Sequence, residues 1–163
     1  MRLSPLFRGI VSGDVIDLQV LSQEIMRNTA YEDRDYIVVS ISDPGDEEIP
    51  IPESPRCMGV LRVQFHDIES PWGNCELMSE EQAKRISTWV ESYKPARPHD
   101  KWPLIVVHCF AGICRSSGVA AALSLHWNGN DSFFWDKEKS GYVPNTWVYV
   151  QMTKALSGIE KHI

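Results

Sequence analysis

No stretch of this 163-residue sequence is both apolar and long enough to span a membrane. The first residues, MRLSPLFRGIVSGDVIDL, lack the apolar core of a secretion signal. There is no basic excess: 16 lysines and arginines stand against 22 aspartates and glutamates, a formal net charge of -6. That balance argues against a nucleic-acid-binding surface. Internal repeats and low-complexity tracts are also missing. These absences predict a soluble, cytoplasmic chain with neither a membrane nor a nucleic acid as partner, and they leave its oligomeric state open. Cysteine is scarce, with four residues. In a reducing compartment four thiols are more readily free, catalytic or redox-active than a disulfide framework.

What is present is enough for a packed core. The chain is 43% hydrophobic and carries six tryptophans, and its length is that of one domain, read here as residues 1–163. The apolar positions Val15, Leu18, Leu21, Ile25 and Met26 recur at helical spacing and predict a helix over Asp14 to Asn28. Two β-branched runs, Asp35 to Pro44 and Met58 to Ile68, predict strands, and an acidic, proline-rich loop lies between them. Ser79 followed by Gln82 is a capping box that opens a helix. Leu104 to His108 reads as a third strand, Ser116 to Trp127 as a helix stopped by NGN, and the segment from Pro144 onward as a last helix. Strands alternating with helices predict an α/β domain, with a central, largely parallel sheet and helices on both faces.

The most informative segment is LIVVHCFAGICRSSGVAAALSL, from Leu104 to Leu125. A buried strand, a tight loop and a helix start make an anion site, because loop N–H groups point inward and the helix adds unpaired donors. Phe110, Ala111, Gly112, Ile113 and Cys114 form the loop, and Gly112 allows it to turn tightly. Arg115 supplies a planar fork for two phosphate oxygens. The same surroundings would favour thiolate over thiol at Cys109, at the floor of the loop. A thiolate beneath a bound phosphate is a nucleophile aimed at phosphorus. Ser116 is placed to donate a hydrogen bond to the sulfur. His108 reads as a core histidine that helps orient the loop.

His108-Cys109, five residues and Arg115-Ser116 resemble the signature loop of the cysteine-dependent protein tyrosine phosphatases, most of all their dual-specificity branch. The resemblance implies the dual-specificity-phosphatase-like fold. It also implies a two-step hydrolysis of phosphotyrosine-containing proteins or peptides through a phosphocysteine, with no metal and no cofactor. It calls for a general acid on a loop after an earlier strand. Asp67, in VLRVQFHDIESPWG, resembles that position, with SPWGNCELM as an insertion after it. Glu69 and Glu76 are local alternatives, and Asp43, after a different strand, is a further one. VPNTWVYVQM resembles a family segment that lies beside the signature loop, which makes Asn145 either a supporting contact to the active-site loops or a helix N-cap. CFAGICRS also resembles the paired-cysteine loop of the low-molecular-weight phosphatases. This implies a redox role for Cys114, through a disulfide to Cys109 on mild oxidation; the alternative is that Cys114 only packs against the sheet.

Other functions fit less well. A non-catalytic phosphate-binding pseudophosphatase is disfavoured by the intact Cys109 and Arg115, and an RNA 5′-phosphatase by the acidic charge. A thiol redox enzyme or arsenate reductase would carry such a loop near the N-terminus, not two thirds along the chain. A zinc site lacks a second close Cys/His pair. The loop carries no lysine or arginine before Arg115, so phosphoinositides are expected to be poor substrates.

Overall fold

The apolar runs that suggested strands lie side by side at the centre of the molecule. The computed structural model describes residues 9–159. Among the described residues the elements follow in the order β1 (Leu18–Ser22), α1 (Gln23–Met26), β2 (Tyr36–Ser42), β3 (Cys57–Gln64), α2 (Glu80–Glu91), β4 (Leu104–Cys109), α3 (Arg115–Asn128), α4 (Ser132–Trp135), α5 (Lys137–Ser140) and α6 (Thr146–Ser157). The strands form one sheet in the order β1-β4-β2-β3, and every neighbouring pair is parallel. β4 lies between β1 and β2 and is buried along its whole length. This is why LIVVHC is a continuous apolar run and does not alternate.

Side chains alternate between two cores. Val20, Ile37, Val39, Ile41, Ile105 and Val107 face the layer built from α2, α3 and α6. Leu21, Tyr36, Val38, Leu104 and Val106 face the other side, which Met26 of α1 and Ile49 cover, with Tyr31 and Ile51 packed alongside. Helices thus lie on both faces, but unequally: the three long ones share one face, and the other has a single turn and loop segments.

The helix expected over Asp14 to Asn28 is a strand followed by one helical turn. LQVLS is buried at all five positions and pairs with β4 from Leu18↔Ile105 to Ser22↔Cys109. Burial on both faces of a strand outweighs the helical spacing of the apolar residues. Ser22 then caps α1, its Oγ accepting from Ile25 N at 3.2 Å. The short α4 and α5 have no counterpart in the sequence reading, since a four-residue helix carries no periodicity. β3 stops at Gln64, and residues 65–78 form a loop. That loop closes on itself: His66 N donates to the Glu76 carbonyl at 2.8 Å and Glu76 N donates to His66 Nδ1 at 2.8 Å.

The capping box at Ser79 is present in both directions, and it does more than start α2. Gln82 Oε1 accepts from Ser79 N at 2.9 Å, while its Nε2 donates to the Gln64 carbonyl at 2.7 Å. One side chain therefore fixes both ends of the 65–78 loop. Gln82→Ala is expected to lower stability by about 1–2 kcal/mol, read as a shift of the urea midpoint at unchanged slope. Gln82→Glu keeps the acceptor for Ser79 but loses the donor to Gln64, so its shift should be smaller.

Candidate active site

The parallel register brings the C-terminal ends of the strands to one edge, and Cys109 is the last residue of β4. Ligand sites of open parallel sheets lie at this edge. The loop after Cys109 turns at Gly112, which has φ +69. A Cβ there would lie 2.5 Å from both Leu21 C and Ser22 N, on the backbone of β1. Only glycine meets both conditions. The loop is further held by Gln23 N, which donates to the Phe110 carbonyl at 3.1 Å.

Cys109 is buried, with 3% exposure, and its Sγ lies 3.1 Å from Ser116 Oγ. Ser116, in the first turn of α3, is fully buried. Cys114 stands at the N-cap of α3 with no side-chain cap bond, so no capping side chain competes for the first-turn N–H groups. Phe110 is the outlier of the loop, an aromatic ring 65% exposed beside Cys109.

Arg115 is 4% exposed. Its Nη1 donates to Asp43 Oδ1 at 2.6 Å and to the Phe65 carbonyl at 2.7 Å. Its Nε is buried and has no hydrogen-bond partner among the described residues. The guanidinium is thus clamped along one edge by the ends of β2 and β3, and its Nε–H is left for an acceptor. Asp43, a sequence candidate for the general acid, is the partner of this cation.

Asp67 comes to the other side of the loop. Its Oδ1 accepts from Asn145 Nδ2 at 2.9 Å. Asn145 both caps α6, with Oδ1 accepting from Val148 N at 3.0 Å, and contacts the 65–78 loop through Asp67 and the Ile68 carbonyl. The sequence reading gave the cap and the loop contact as alternatives. Glu69 Oε1 accepts from Thr146 N at 2.9 Å, so it serves the start of α6. Glu76 joins the loop closure through its backbone. Trp147 donates its indole N–H to the Met78 carbonyl at 2.9 Å and anchors the far end of the 65–78 loop. Sequence reasoning gave no role to Gly118. A Cβ there would lie 3.0 Å from the Asn145 carbonyl, so this glycine lets α6 approach the loop.

All four cysteines are free thiols. Burial pushes the Cys114 thiol up to about 11, with the nearby Asp67 and Cys109 adding to the shift. No group of three or more histidines, cysteines, aspartates or glutamates among the described residues is arranged to hold a metal ion. No helix there is long and apolar enough to cross a membrane. A cleft of about 550 Å³ lined by Asp17, Arg34, Arg97 and Trp102 lies at the opposite edge of the sheet, beside the residues that lead into the strands.

No protein-family model matches the sequence, and neither does any curated protein sequence. Solved structures do match. A point variant of human DUSP28 superposes with a TM-score of 0.59 at 18% identity, over 88% of this chain and 90% of that one. Human tyrosine phosphatase-like serine/threonine/tyrosine-interacting protein gives 0.56 at 14%, over 86% and 91%. The Yvh1 phosphatase domain from Chaetomium thermophilum gives 0.52 at 15%, over 91% and 94%. The chain has the dual-specificity-phosphatase-like fold. This agrees with the α/β architecture and with the likeness carried by the signature loop.

His108 precedes Cys109 and is 1% exposed. Its Nε2 lies 2.6 Å from Ser40 Oγ, its register partner on β2. Burial, with the Arg62 and Arg115 charges adding to it, lowers its pKa to about 4. The folded value lies below the unfolded one near 6.5, so the unfolded chain takes up the proton first. The contribution of neutral His108 is therefore fully present above pH ~6.5 and is lost as pH falls toward 4, with a total on the order of 3 kcal/mol. Urea midpoints measured from pH 7 down to 4.5 should fall over this window. In His108→Gln that pH slope should flatten.

Proposed function

We propose that the chain hydrolyses phosphomonoesters of phosphotyrosine-containing proteins or peptides through a phosphocysteine at Cys109. The observation that carries this reading is the state of Arg115: a buried guanidinium, clamped at Nη1, with Nε unpartnered beside a buried cysteine. A buried cation with an unused donor calls for an anion. The loop amides and the first turn of α3 supply further donors for a tetrahedral dianion.

In the first step the Cys109 thiolate attacks phosphorus, the S–P bond forms, and the P–O bond to the leaving group breaks. Asp67 gives its proton to the departing oxygen. Arg115 and the loop N–H groups hold the three equatorial oxygens as charge shifts. In the second step water attacks phosphorus, Asp67 takes the water proton, and the S–P bond breaks to release inorganic phosphate. Ser116, 3.1 Å from Sγ, donates a hydrogen bond to the returning thiolate and makes it a better leaving group. The exposed ring of Phe110 gives the mouth an apolar wall suited to an aryl ester. With Arg115 as the loop's sole cation and Asp43 and Asp67 beside it, an inositol ring bearing several phosphates would meet negative charge, so phosphoinositides should be poor substrates.

Cys109→Ser is expected to bring metal-free turnover of phosphotyrosine peptides to background while leaving peptide binding measurable by calorimetry. A wild-type chain that binds these peptides without hydrolysing them would instead be a phosphate-binding module. Asp67→Asn should lower kcat/KM about 10²-fold or more for aryl phosphates with poor leaving groups, and far less for activated ones, because a good leaving group needs little protonation. Equal losses on both classes would remove Asp67 from the acid role.

A further inference from the structure

Asn145 is more fully used than a helix cap requires. An asparagine side chain offers one acceptor and two donors, and here each goes to a different group. Oδ1 accepts from Val148 N at 3.0 Å, which completes the cap of α6. Nδ2 donates to Asp67 Oδ1 at 2.9 Å and to the Ile68 carbonyl at 3.0 Å. The backbone joins in: Asn145 N donates to the Cys114 carbonyl at 2.9 Å, at the exit of the signature loop. The orientation of the amide is fixed by its partners, because the atom that receives a backbone N–H must be the oxygen.

A cap needs only an acceptor, which serine, threonine or aspartate would supply equally well. The two N–H groups on the acid loop are therefore not explained by capping. The residue is 2% exposed, so they are not explained by solvation either. Glu69 docks the same stretch onto the start of α6 through Thr146 N.

We propose that Asn145 is the positioning residue of the general acid: its amide keeps Asp67 at the exit of the loop that binds phosphate. The inference rests on the reading of Asp67 as general acid.

The test uses variants that keep the α6 cap. Asn145→Ser retains an acceptor for Val148 N and loses both donors. Asn145→Asp retains the acceptor and sets a carboxylate against that of Asp67. Both should lower kcat/KM about tenfold or more on an aryl phosphate with a poor leaving group, and no more than about twofold on an activated one. In an Asp67→Asn background, Asn145→Ser should add almost nothing, since two residues acting through one step are not additive. Equal losses on both esters, or full additivity with Asp67→Asn, would overturn the proposal and leave the phosphatase reading standing. A wild-type chain that hydrolyses neither ester would overturn both.

Discussion

A guanidinium in the interior is the constraint around which the active edge is organised. Arg115 is the first residue of α3 and is almost fully buried. An unpaired cation there would be strongly destabilising, so the fold must bring it partners. It brings a carboxylate from the end of β2 and a carbonyl from just beyond β3. Three elements distant in sequence are thereby fixed to one side chain. The clamp on Nη1 restricts the plane of the fork, so Nε keeps its direction without side-chain reorganisation. Such preorganisation separates a site built for an oxyanion from a loop that is merely basic.

The parts of this arrangement that were legible in the sequence are local. Leu104 to Ser117 places strand, loop and helix start in one continuous stretch. The Ser79–Gln82 box and the glycine stop of α3, now seen as left-handed Gly129, are also short-range signals. What was not legible is long-range. Asp43 in ISDPGDEE looks like any turn aspartate until β2 is known to lie beside β4. LQVLS reads as helix because its apolar spacing is ambiguous, and only pairing with β4 decides the matter. Gly118 lies in RSSG as if it were part of the loop motif, yet its reason lies in α6. Asn145 carried both of its roles in one letter, and no local rule separates a cap from a cap that also holds a distant loop.

The shared fold places residues, and it does not by itself assign chemistry. The matching structures carry names as different as a phosphatase domain and a phosphatase-like interacting protein. Chemistry therefore has to be argued from the side chains at the strand ends. Here the loop over residues 65–78 is informative. A loop of that length would ordinarily be loose, since closing a longer loop costs more entropy. Gln82, Trp147, the His66–Glu76 pairing and the Asn145 amide all act on that one loop. Such bracing is expected where the position of a single carboxylate matters.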